Sequence, residues 1–242
     1  MTYLIENAEI AYALDDCGRN CSFYNKKTGH EYVLEPAHTW KLIWKEGQRT
    51  ERPVFAEEQD GRVEVRGNSL VLSYEKLFSG GRELDIGLAL TFTLDGEVLY
   101  VTSRIENRSD ITVTELNITA ASGIRSINGS PETDRIMWPA SYGKIIEAPA
   151  ISDLSVHMGF RKYERLDHKH TDLDLLYPGG SGSMPWFDLY SSAEGLYVGS
   201  HDLSHQTICL HAERNVKTNL LSLGVIRYPF TGPGEVWEGA PI

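Results

Sequence analysis

The chain has 242 residues, 41% of them hydrophobic, and a formal charge of -11 from 34 acidic against 23 basic residues. That apolar share is ample for a core, and the length suits one large β domain or two small ones. The negative field repels phosphate backbones and anionic lipid, so neither a nucleic-acid nor a membrane partner is expected. Cys17, Cys21 and Cys209 make an odd count, which argues against a disulfide framework and fits a reducing, cytoplasmic setting. The N-terminus MTYLIENAEIAY has no basic start, and no later stretch approaches the roughly 18 apolar residues of a membrane span.

In chain order, AEIAYALDD, CSFYNKKTGHEYVL, TWKLIWKEG and GRVEVRGNSLVLSYEKL each have the character of one or two short strands. The clearest signal follows. Leu84, Ile86, Leu88, Leu90, Phe92 and Leu94 alternate with Asp85, Gly87, Ala89, Thr91 and Thr93, the period of a strand with one buried face. Asp95-Gly96 predicts a tight hairpin turn, because both residues tolerate positive φ. Leu99, Val101 and Ile105 return, a second turn falls at NRSD, and Ile111 and Val113 open a third strand, so a three-strand antiparallel meander is expected. Between Val113 and Leu116 the apolar phase shifts by one residue, which predicts a β-bulge. MGFRKYERLD alone hints at a helical turn. GLYVGSHD, QTICLHAER and LLSLGVIRYPF complete the strand series. Short strands about ten residues apart, separated by Gly, Asn and Asp, indicate an all-β sandwich or barrel. The end, YPFTGPGEVWEGAPI, has two Gly/Pro clusters and reads as a strand leaving a compact domain.

The segment from Leu176 to Ser192, LYPGGSGSMPWFDLYSS, has the least ordinary composition. A phosphate loop needs a helix N-terminus after the glycines, and none follows. The same lack removes a nucleophile elbow at GGSGS. Sugar rings stack their C–H faces on aromatic side chains and bind their hydroxyls to fixed polar groups. Tyr177, Trp186 and Tyr190, with Asp188, His201 and Asp202 near in sequence, offer both; Trp138 and Tyr142 in MWPASYG have similar character. The alternative for both segments is aromatics in the core with small residues for turning.

Glu31, Asp188 and Asp202 lie in distinctive phrases, yet with so many carboxylates no catalytic pair stands out. The best metal candidate is the cluster of His157, His168 and His170 with Asp167, Asp172 and Asp174, although a mixed-charge loop is ordinarily a solvated connection, and no metal or other cofactor is assigned.

LDDCGRNCSFYNKKTGHEYVL followed by TWKLIW, and later MPWFDLYSSAEGLYVGSHD, resemble phrases of the N-terminal β-supersandwich domains of bacterial glycoside hydrolase-like families, in which the sandwich precedes a catalytic (β/α)8 barrel. The resemblance covers most of the chain. It implies an antiparallel, galactose mutarotase-like β-supersandwich over residues 1–230, with 231–242 as the start of a linker to a C-terminal barrel. In such enzymes the catalytic carboxylates belong to the barrel, so no catalytic residue is carried over. The function expected is therefore an accessory domain that packs on a barrel and helps shape its sugar cleft, with Trp138, Tyr142, Tyr177, Trp186, Asp188, His201 and Asp202 facing carbohydrate or the barrel. Two alternatives stay open, a stand-alone carbohydrate-binding module and a self-contained aldose epimerase. The epimerase would require a histidine acid, drawn from His201, His205 or His211, and a glutamate base, Glu194 or Glu213, together on the concave sheet face.

Overall fold

A computed structural model describes residues 1–46, 51–157, 170–179, 182–192, 194–204 and 206–242. The described elements are antiparallel strands and two short 3-10 turns. The all-β class and the antiparallel supersandwich expected from the sequence are what the chain adopts.

The centre is a six-stranded sheet in the order His170–Tyr177, Ile208–Asn215, Leu221–Arg227, Thr112–Ile124, Trp40–Lys45, Arg52–Phe55. Alternation divides its side chains cleanly. On one face lie Leu173, Leu175, Leu210, Ala212, Leu223, Val225, Leu116, Ile118, Leu42 and Trp44, all buried. That apolar face is too wide for one covering layer. Its Leu42 and Leu116 half packs in a core shared with Leu70, Leu72, Leu88, Leu90, Phe92 and Val101 of a five-stranded sheet and with Tyr12 and Leu14 of the N-terminal sheet. Its Leu173 and Leu210 half packs with Ile136, Trp138, Ile146, Phe187, Leu189 and Leu196 of a four-stranded sheet.

The hairpin at Asp95-Gly96 forms in the expected register, Asp95 opposite Val98, with Gly96 at φ 57°. The bulge also forms, between Val113 and Glu115. The three-strand meander does not. The strand Thr112–Ile124 pairs with Trp40–Lys45 and Leu221–Arg227 in the six-stranded sheet, away from its sequence neighbour Val98–Asn107. At the crossing, Asn107 donates from Nδ2 to the carbonyls of Ile111 and Thr231, which pins the corner so that the next strand enters the opposite layer. Hydrophobic alternation sets the face of a strand and carries no information on its neighbour, so the sheet change had no sequence signal.

Residues 231–242 are folded onto the sandwich. Val236–Gly239 pairs with Ser103–Glu106 at the edge of the five-stranded sheet, and Ile242 exchanges backbone hydrogen bonds with Val101. Arg227, 1% exposed, holds this segment from within: its Nη2 donates to the carbonyls of Ala240 and Pro241 and to Ser200 Oγ, while Nη1 lies 3.3 Å from Asp202 Oδ2. Replacing Arg227 by Met removes a buried cation and strands Asp202. The expected result is a loss of about 3 to 5 kcal/mol in unfolding free energy, read by urea denaturation.

Candidate functional site

The opposite face of the six-stranded sheet is mixed, apolar side chains standing beside a polar cluster. Lys41, Asn117, Ile226, Cys209 and Leu176 lie in one cross-strand row, and Asp174, His211 and Gly224 in the next. Gly224 has a steric reason to be glycine. The second irregularity of the Thr112–Ile124 strand, between Ile118 and Ala121, pushes the Ile118 carbonyl so close that a Cβ at 224 would sit 1.8 Å from its oxygen. The Ile118 carbonyl therefore occupies the place a side chain at 224 would take, next to His211 in the cross-strand row.

His211 is 2% exposed and held from both sides. Its Nδ1 lies 2.6 Å from Asp174 Oδ1 on the neighbouring strand, and its Nε2 3.3 Å from Glu213 Oε2, two residues on along its own strand. Lys41 Nζ reaches to 3.7 Å from the same Glu213 oxygen. Burial by itself would favour the neutral ring, but the charges and hydrogen bonds of Asp174 and Glu213 outweigh it and push the imidazole up to about 9. At neutral pH this is an imidazolium clamped between two carboxylates, with the proton on each nitrogen directed at an oxygen.

The remaining sequence candidates separate by strand parity. Trp138 is 2% exposed and packs its ring 5.0 Å from Phe187 in the second core, so it cannot face a ligand. Tyr177 packs against the same core, and Tyr142 stands free on an exposed turn, apart from the other aromatics. Asp202 is committed to structure. Burial opposes its ionisation, but hydrogen bonds from Ser204 and the Arg227 guanidinium hold its carboxyl below the usual range. Glu31 closes the hairpin of Arg19–Asn25 with His30–Glu31 by accepting from Ser22 Oγ and the Phe23 and Val33 amides. Glu194 accepts from Thr28 and Tyr32, tying that hairpin to the four-stranded sheet, and burial pushes the Tyr32 hydroxyl up to about 12. Trp186, Asp188 and His201 do share one surface, the outer face of the four-stranded sheet.

Of the candidate metal cluster, Asp167 and His168 lie outside the described residues, as do His205, the side chain of His157 and the helical turn hinted at by MGFRKYERLD. His170 is bonded to Asn215, and Asp174 belongs to the His211 cluster. Among the described residues, Asp15, Asp16 and Cys17 bring three potential ligand atoms within 4.8 Å of one another, but Asp15 is paired with Arg19 and Asp16 with the N-terminal amine. The three cysteines are free thiols. No described helix is long and apolar enough to cross a membrane.

No family model matches the sequence, and no curated protein matches it at a significant level. Solved structures do match. A galactose mutarotase related enzyme of Lactobacillus acidophilus aligns over 100% of this chain and 95% of its own, with TM-score 0.59 and 12% identity. The fold is galactose mutarotase-like. A galactose mutarotase-like protein of Lactobacillus casei aligns over 100% and 98% at TM-score 0.58 and 12% identity. A protein of Escherichia coli described as a putative aldose 1-epimerase aligns over 98% and 96% at TM-score 0.56 and 11% identity. Each of these chains is covered almost end to end, which leaves no room in them for a barrel like the one expected beside this domain.

The His211 cluster yields a stability prediction. Its histidine binds its proton more tightly folded than unfolded, where the value is near 6.5. The stabilisation is therefore complete below about pH 6.5 and is lost as pH rises through about 9. Chemical denaturation across that window should show unfolding free energy falling by a few kcal/mol, and His211→Asn should flatten the slope.

Proposed function

We propose that the chain is a carbohydrate-acting protein of aldose-epimerase type, with Asp174, His211 and Glu213 as its proton-transfer centre. The observation that carries the reading is the His211–Glu213 pair on the mixed face of the six-stranded sheet, backed by Asp174. Interconversion of aldose anomers requires removal of the proton from the anomeric hydroxyl and delivery of a proton to the ring oxygen. The C1–O5 bond then breaks, the open-chain aldehyde rotates about its C1–C2 bond, and the reverse steps close the ring. A pair made of a protonated imidazole and a carboxylate supplies both groups.

In the chain as it stands, acid and base satisfy each other. A sugar would insert between them, its anomeric hydroxyl replacing His211 as the partner of Glu213 and its ring oxygen accepting from His211 Nε2. Asp174, bound to the other ring nitrogen, would keep the imidazole oriented and charged. Lys41 would then offset the negative charge of the two carboxylates. The fold supports this reading to the extent that the matched structures are themselves described as mutarotase-like or epimerase proteins along their whole length.

The test is exchange-sensitive nuclear magnetic resonance of α and β anomers of free glucose, galactose and other aldoses with the purified chain. At least one aldose should interconvert faster than in buffer, and His211→Asn and Glu213→Gln should each lower that acceleration by about 100-fold or more, with folding checked by circular dichroism. Interconversion at the buffer rate across the panel, or full activity in either variant, would overturn the assignment.

A further inference from the structure

We propose that the outer face of the four-stranded sheet is a second, non-catalytic saccharide site, where Trp186, Tyr197 and Asp188 hold the pyranose ring of a neutral sugar. It lies on the far side of the molecule from His211, with two sheets and the second core between them. The site does not depend on the epimerase reading.

Alternation sends Phe187, Leu189 and Leu196 into the core, and therefore Trp186, Asp188 and Tyr197 outward. Three rings form a ladder there. Trp186 and Tyr197 have centroids 5.4 Å apart, Tyr197 and His201 5.9 Å apart at 18°, and Tyr197 Oη lies 3.0 Å from His201 Nε2. Tyr197 is nevertheless 50% exposed, and its ring has no covering layer among the described residues. Glycines on both sides of it clear the surface. A Cβ at Gly199 would lie 2.7 Å from Trp186 Cβ and 2.9 Å from Tyr197 Oη, and one at Gly195 2.8 Å from Asp188 Oδ1. Both side chains thus lean along the sheet over bare backbone, the ring over Gly199 and the carboxylate over Gly195.

The surface is also braced by hydrogen bonds. The Ser200 amide donates to the Pro185 carbonyl, and the buried Arg227 holds Ser200 and Asp202 on either side of His201. Pre-set rings lose little freedom on binding. The chemistry selects the occupant. Asp188 sits between Met137 and Tyr197 in the cross-strand row, so a carboxylate stands within the patch, where a protein interface core is depleted of charge. Partial burial raises its pKa. A second copy of the chain would bring another anion to the same place, and a phosphorylated ligand would be repelled. A neutral sugar offers a C–H face to the rings and hydroxyl donors to the carboxylate.

Neutral gluco-, galacto-, manno- and xylo-oligosaccharides should be titrated into the protein while the indole N–H resonance of Trp186 is followed. At least one should shift it saturably, with the same dissociation constant in His211→Asn. Tyr197→Ala, at an exposed position that does not threaten folding, should weaken binding about tenfold, as should Asp188→Ala, while Tyr197→Phe should stay close to the parent. Failure of every sugar to move the resonance, unchanged affinity in Tyr197→Ala, or a shift that grows with protein concentration alone would overturn the site, the last by assigning the face to a second copy. Loss of anomer interconversion in His211→Asn with binding intact would separate this site from the proton-transfer centre.

Discussion

The organisation of the molecule follows from one constraint: a six-stranded sheet apolar across the whole of one face must be covered across its whole width. Each fully buried Leu, Ile or Val on that face contributes about 1.5 to 3 kcal/mol, and none of it is gained unless a second layer excludes water. Three other sheets supply that layer, the five-stranded and N-terminal sheets through one core and the four-stranded sheet through another. The strand changes, the corner at Asn107 and the Arg227 clamp on residues 240–241 are all means of bringing covering elements into position. Because the apolar face is fully occupied, whatever chemistry the central sheet performs falls to its other face.

On that other face, electrostatics replaces packing as the deciding term. A lone buried imidazolium would lose its proton, since the desolvation cost exceeds anything a neutral environment returns. Asp174 and Glu213 reverse the outcome because they are bonded to both ring nitrogens at once. The arrangement is costly to a structure that has no use for it, as a buried ion group seldom outperforms well-packed apolar side chains. That cost is the physical ground for reading the cluster as a working site.

Much of the fold was legible in the sequence because alternation is a local property. The strands around Asp95-Gly96 and the bulge after Val113 could be read from a few residues each. The sheet change of the next strand could not, since pairing partners are chosen by corners such as Asn107 with residue 231, far apart in the chain. The site divides in the same way. His211 and Glu213 were both candidates, but Asp174 was grouped with a metal cluster, because its partner lies 37 residues on and only register brings them together. Trp138 and Trp186 sit in similar phrases, yet parity buries the first and exposes the second. Tyr197 was missed altogether. Its signal was present in GLYVG, a single aromatic two residues from glycine on each side, which marks a ring with bare backbone around it.

The two faces differ in the kind of partner they admit. The mixed face of the central sheet concentrates charge, and a ligand there must break an existing acid–base contact to bind, which favours a substrate whose own proton transfers repay that loss. The outer face of the four-stranded sheet concentrates aromatic area with one carboxylate, and its geometry is already set before a ligand arrives. The first arrangement suits turnover of a small sugar and the second suits retention of a larger one. A chain with both would hold a saccharide on one side while acting on free ends or monomers at the other, with two sheets and the second core between the two sites.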